Sequence, residues 1–125
     1  MAQAPLDHVA VFSHDMDTDI NFYSRLGFKL ETLYHDWAML RDNEGRGIAL
    51  LSPTGKHPQH FGMRIDSLAE LERIAKEHQR VIAPHRDGTV SAYLEDPSGN
   101  EIEIIYYPAT EEEKKEREGE REKTP

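Results

Sequence analysis

Glu103 stands in the run "EIEIIYY" (residues 101–107), with apolar side chains on both sides of it. Alternation along a strand puts Ile102, Ile104 and Tyr106 on one face, and Glu103, Ile105 and Tyr107 on the other. A carboxylate among apolar neighbours is costly to bury alone. Either that face is wet, or Glu103 has a partner such as a metal ion. Two of the seven histidines, His8 and His60, open the similar segments "HVAV" and "HFGM". Imidazole offers a metal ligand or an acid–base group that titrates near neutral pH. The chain has no cysteine, which excludes a disulfide framework, a zinc finger and a thiol nucleophile.

The elements that position these residues come twice. "AMLRDNEGRGIALL" (38–51) falls without a gap on "AYLEDPSGNEIEII" (92–105), with Ala, Leu, Asp, Gly and Ile recurring in place. In the second copy Asp96 to Asn100 carry turn chemistry: Pro fixes φ, Gly tolerates positive φ, and Asp and Asn bond their own backbone. A hairpin is expected around them. The first copy reads as a strand "LDHVAVFS", a helix through "TDINFYSRL" capped by Asp15 or Asp17 and ended at Gly27, and a hairpin of "DWAML" and "IALLS". The second reads as a strand "HFGMRI", a helix "SLAELERIAKEH" with Ser67 as cap and Glu70 in capping-box position, and strands "RVIAP", "VSAYLE" and "EIEIIYY".

Two such units imply two pseudo-equivalent halves packed side by side. Under the overlay His8 matches His60, and Ala49 matches Glu103. Alternation puts Val9, Val11, Phe61, Met63 and Ile65 on a face for a helix to cover. His8, Ala10, Phe12, His60, Gly62 and Arg64 face the other way, with Ala49, Tyr93 and Glu103. Two curved sheets related by a pseudo-twofold direct these positions into one cup.

With 125 residues the chain is long enough for one domain with a real core. Its net charge of −9 argues against nucleic acid or an acidic membrane surface as partner. No apolar run approaches membrane-spanning length, and "MAQAPLD" has neither the basic start nor the apolar stretch of a signal peptide, so a cytoplasmic protein is expected. The domain is expected over residues 1–109, in units 6–52 and 59–107. Residues 110–125, rich in Glu, Lys and Arg, read as a solvated helix or a disordered tail.

"LDHVAV", "NFYSRLGFKL", "HFGMRI" and "DPSGNEIEI" resemble the vicinal oxygen chelate superfamily, which includes glyoxalase I, extradiol dioxygenases, fosfomycin-resistance enzymes and bleomycin-resistance proteins. The resemblance spans residues 6–107. It implies an α+β fold of two βαβββ units forming a cup-shaped, mostly antiparallel sheet. It also implies a divalent metal on His8, His60 and Glu103. The fourth metal position, a Glu in glyoxalase I and methylmalonyl-CoA epimerase, corresponds to Ala49, which tells against both activities.

Two histidines and one carboxylate with open positions match the facial triad of non-haem Fe(II) oxygenases. Mn(II), Zn(II) and Ni(II) also suit such a site, with Fe(II) favoured. Tyr93, Asp96, Pro97, Gly99 and Glu103 are similar to the extradiol dioxygenase signature, with His85 in its spacer range. Ala83 and Ala92 depart from it. The resemblance therefore implies cleavage of a catechol-type substrate by O2, with His85 as acid–base group and Tyr93 hydrogen-bonding the substrate oxygen. Phe12, Trp37, Met39 and Arg64 would line the substrate cup, Arg64 helping to neutralise an anionic group. Alternatives are lyase or isomerase work of glyoxalase type, thiol transfer of fosfomycin type, and metal-free small-molecule binding of bleomycin-resistance type. A homodimer is also expected, with the cup formed within one chain or across two.

Plainer readings stand beside these. His8 and His60 also read as strand histidines at a sheet edge, and Tyr93 as an ordinary strand residue. His85 follows Pro84 in a loop and reads equally as a solvent-facing residue. His14, His35, His57 and His78 are expected on the surface. Trp37 reads as packing or substrate stacking. The loops "YHDWAM" and "APHRDGTV" set the size of the cup.

Overall fold

The computed structural model describes residues 4–108. The charged segment 110–125, expected as helix or disordered tail, lies outside the described residues. The first unit comprises β1 (Leu6–Phe12), α1 (Met16–Arg25), β2 (Lys29–Tyr34), β3 (Trp37–Arg41) and β4 (Gly47–Leu51). The second comprises β5 (His60–Ile65), α2 (Leu68–Glu77), β6 (Ala83–Pro84), β7 (Val90–Glu95) and β8 (Glu101–Tyr106). Both helices start where short polar side chains satisfy an otherwise unpaired N–H: Asp15 accepts from Thr18 N, and Ser67 from Glu70 N. In the equivalent β3–β4 and β7–β8 turns, Gly45 and Gly99 take φ of +83° and +87°. Asp42 and Asp96 accept the backbone N–H groups of Glu44 and Arg46, and of Ser98 and Asn100. The turn chemistry expected at Asp96–Asn100 is thus present in both copies.

All strands join one sheet in the order β2-β3-β4-β1-β5-β8-β7-β6. The units meet where β1 and β5 pair antiparallel, so the two halves of a single chain close the cup. The sequence overlay reappears as strand register. Ala10 and Met39 are both register partners of Ala49, and Gly62 and Tyr93 are both partners of Glu103. The two outer strands differ. β2 makes a full hairpin with β3 around His35 and Asp36 where a loop had been expected. Its counterpart in "RVIAP" is reduced to Ala83–Pro84, because Pro84 has no N–H to extend the ladder.

The helices lie on the convex side. α1 packs on β2 and β3 over Ala38, Leu40 and Leu50, and α2 packs on β5, β7 and β8 over Ile65, Ala92 and Ile104. Val11, Met63 and Ile65 take the helix-covered places expected of them. Phe61 does not: it pairs with Val9 at the seam between the units and is 47% exposed. Leu71 is the fully buried anchor of α2. Leu71→Ala should therefore cost about 2–5 kcal/mol, measured as a lower urea midpoint at unchanged slope.

Candidate metal centre

His8 leaves the middle of β1, His60 starts β5 and Glu103 lies in β8, three strands adjacent in the sheet. All three side chains are buried. His8 Nε2 is 3.3 Å from His60 Nε2 and 3.2 Å from Glu103 Oε1, and His60 Nε2 is 3.5 Å from that same oxygen. The outer nitrogens are occupied. His8 Nδ1 donates to Asp7 Oδ2 at 2.8 Å, and His60 Nδ1 donates to the Pro58 carbonyl at 2.7 Å. Both imidazoles then turn Nε2 toward each other and toward a carboxylate oxygen. Three acceptors facing one another repel unless they share a cation. In the metal-free protein that cation is a proton: burial disfavours it, but Asp7 and Glu103 outweigh burial and push His8 up to about 9. Burial likewise raises the Glu103 carboxyl, yet hydrogen bonds from His60, His8 and His85 hold it well below the carboxylate range.

The same triangle fits a divalent ion. A metal about 2.1 Å from each ligand needs ligand-to-ligand edges of roughly 3.0 Å at right angles and roughly 3.4 Å at tetrahedral angles. The measured edges fall in and just above that interval. Outer-nitrogen hydrogen bonds of this kind fix the tautomer and orientation of metal-binding histidines. His8, His60 and Glu103 group together as a candidate metal centre. Ala49 is buried with Ala10, Met39 and Leu51, so the fourth repeat position offers no ligand.

Glu103 Oε2 faces Ser91 and His85. It accepts from Ser91 Oγ at 2.8 Å, and His85 Nε2 donates to that hydroxyl at 2.6 Å while lying 3.3 Å from Oε2 itself. His85 is therefore brought to the centre, behind the carboxylate. Its bond with Glu103, against the opposing effect of burial, raises its pKa. Tyr93 lies edge-on to His60, and its O–H donates to His57 Nδ1 at 3.2 Å. Burial, together with the Glu103 charge, keeps that phenol protonated. His57, His60, His85, Tyr93 and Glu103 line a cavity of about 1100 Å³, with Trp37, Met39 and Leu51 from the first unit.

Two residues expected in the cup, Phe12 and Arg64, are not in the cavity lining. Each shares a face with its histidine but sits four residues further along the strand, roughly 13 Å away at 3.3 Å per residue. Phe12 is 39% exposed, and the Arg64 guanidinium lies over the Tyr107 ring at 4.5 Å. His57 and His35, expected on the surface, are exposed and also belong to the cavity lining.

Sequence reading also missed Ser91, Asp7 and the glycines. Gly47 and Gly62 are the register partners of His8 on either side. A Cβ at Gly62 would collide with the His8 ring, and one at Gly47 would come within 2.9 Å of His8 Cβ. A glycine inside a strand signals such close approach.

A family model described as Glyoxalase/Bleomycin resistance protein/Dioxygenase superfamily matches residues 5–104. The chain belongs to this superfamily. The Glyoxalase domain-containing protein RDO1 of Mycosarcoma maydis is 32% identical over 120 residues, covering 82% of this chain and 68% of that protein. In fold the chain is similar to methylmalonyl-CoA epimerase from Mycobacterium tuberculosis, with a TM-score of 0.69 and 19% identity over 88% of this chain and 93% of that one. It is also similar to a catechol 2,3-dioxygenase, with a TM-score of 0.63 and 20% identity over 85% of this chain and 42% of that one. The match takes in less than half of that dioxygenase chain. Among the described residues no helix is long and apolar enough to cross a membrane.

Gly62→Ala should fold yet displace the His8 ring. Its loss of metal affinity should equal or exceed the about 10–100-fold typical of removing an outer-shell partner, read by competition against a chelator.

Proposed function

We propose that the chain is a metal-dependent dioxygenase of extradiol type, which opens the ring of a catechol-like substrate with O2. The observation that carries this reading is the buried His8, His60 and Glu103 triangle with Ala49 at the fourth position, three protein ligands that would hold a divalent ion and leave it able to take a chelating substrate and O2. Fe(II) is the favoured metal, with Mn(II), Zn(II) and Ni(II) as other occupants. The metal supplies a Lewis acid for two vicinal oxygens and an electron donor for O2. No external reductant is needed, because both atoms of O2 enter the ring-opened product.

The chain's own residues bind, orient and move protons. Strand register makes Trp37, Met39 and Leu51 the counterparts of Ser91, Tyr93 and Ile105. Trp37, Met39 and Leu51 therefore form an apolar patch in a cup also lined by His8, His60, His85, Tyr93 and Glu103. A ring lies against Trp37 and Met39, with its oxygens toward Tyr93 and the metal ligands. Trp37 is held flat for this by stacking on Tyr34, with ring centroids 5.7 Å apart. Tyr93 donates its phenol hydrogen to a substrate oxygen in place of His57. His85, whose protonated form Glu103 favours, is the acid–base group and keeps Ser91 on the far carboxylate oxygen.

Glyoxalase-type chemistry is disfavoured by Ala49. Thiol transfer uses the same three ligands and is the second reading. Anaerobic loading should give one Fe(II) per chain, and Glu103→Ala should lose it. Catechols should quench the fluorescence of Trp37, the chain's only tryptophan, and a yellow ring-cleavage product should follow on admitting O2. Iron retained without turnover would move the search to thiol transfer. Refusal of Fe(II), Mn(II), Zn(II) and Ni(II) alike would leave a small-molecule-binding protein.

A further inference from the structure

Asp7 and His8 are neighbours in β1, so regular alternation would place their side chains on opposite faces of the sheet. Instead both are buried, and they are hydrogen-bonded to each other. The cause is a break in register: Leu6 pairs with Met63 and His8 with Gly62, so two steps along β1 match one step along β5. A bulge of this kind re-aims a side chain, and bulges concentrate beside functional sites. Here it turns the Asp7 carboxylate under the His8 ring.

The carboxylate is in turn held from two other strands' ends. Tyr107 O–H donates to Asp7 Oδ2 at 2.6 Å. Arg41 spans both carboxylate oxygens at 3.3 and 3.4 Å, and donates to the Tyr107 oxygen at 2.8 Å. Arg41 is itself fixed by Glu31 at 3.0 Å and by the Gly45 carbonyl at 2.9 Å. Among the described residues no buried polar side-chain atom lacks a partner.

We infer that Asp7, backed by Tyr107 and Arg41, is a positioning residue of the metal centre: it locks the His8 ring with Nε2 inward and sets the affinity and the reduction potential of the bound metal. A carboxylate on Nδ1 makes the imidazole a stronger donor at Nε2. The inference rests on the metal-centre reading above and assigns Asp7 no contact with substrate. A purely structural role would leave the metal's properties unchanged when the network is cut.

The test uses the full chain with Co(II) and Fe(II) as probes. Asp7→Asn keeps the shape of the side chain and removes its charge, and Tyr107→Phe removes only one of its hydrogen bonds. For each, the Co(II) dissociation constant, the visible Co(II) spectrum, the iron reduction potential and the thermal midpoint are measured. Asp7→Asn should weaken Co(II) binding about 10–100-fold, shift the Co(II) bands and raise the reduction potential. Tyr107→Phe should move all three in the same direction by less. Variants that bind Co(II) like the parent, with unshifted bands and potential, would overturn the inference while leaving the centre intact, even if their thermal midpoints fall. If Asp7→Asn fails to fold, Tyr107→Phe decides by the same readouts. A parent that binds neither metal would overturn the centre and the inference together.

Discussion

Three lone-pair-bearing atoms converge on one point inside this protein, and they are tolerable there only around a shared cation. His8 Nε2, His60 Nε2 and Glu103 Oε1 approach to 3.2–3.5 Å, with the outer histidine nitrogens committed to Asp7 and Pro58. Low local polarizability makes such a cluster costly when unpaired and strongly cohesive when a proton or metal joins it. The glycines beside His8, the serine behind Glu103 and the bulge at Asp7 all serve to bring these atoms together and hold them there.

The cup depends on two units that repeat one strand pattern and differ at equivalent positions. The β1–β5 seam places the first strand of each unit side by side, which brings His8 and His60 within reach of each other. The parallel partner of each first strand then supplies the third position: Ala49 in one unit and Glu103 in the other. Had both carried a carboxylate, the site would hold two anions and close around its ion. With one, it brings together two imidazoles and a single carboxylate, the two-histidine, one-carboxylate set. The same asymmetry extends outward, with Trp37 in one unit where the other has Ser91, and Met39 where the other has Tyr93.

Titration at this site is collective. Glu103 stays ionised because His8, His60 and His85 all bond it, and His8 and His85 hold their protons because Glu103 is there. Asp7, also buried, stays ionised because His8, Tyr107 and Arg41 offset the cost of its burial. Each member's charge state exists only in the company of the others, which is why none of it follows from one residue's intrinsic chemistry.

The sequence by itself determined the periodic features. Local rules of alternation, capping and turn formation fixed the two helices, with Ser67 as the start of one and Asp15 or Asp17 as the start of the other, the paired Gly45 and Gly99 turns, and the overlay that became strand register. His8, His60 and Glu103 were legible because a repeat makes equivalent positions comparable without knowing where they lie. What only the tertiary structure decided was everything set by distance across strands or by breaks in regularity. Alternation names a face but not how far along it the cup extends, so Phe12 and Arg64 fall outside while His57 comes in. A bulge is invisible to a period-two pattern, so Asp7 was not seen behind His8. Ser91 became part of the site only because β7 and β8 pair in register, and the meeting of the two units of one chain appeared only in the pairing of β1 with β5.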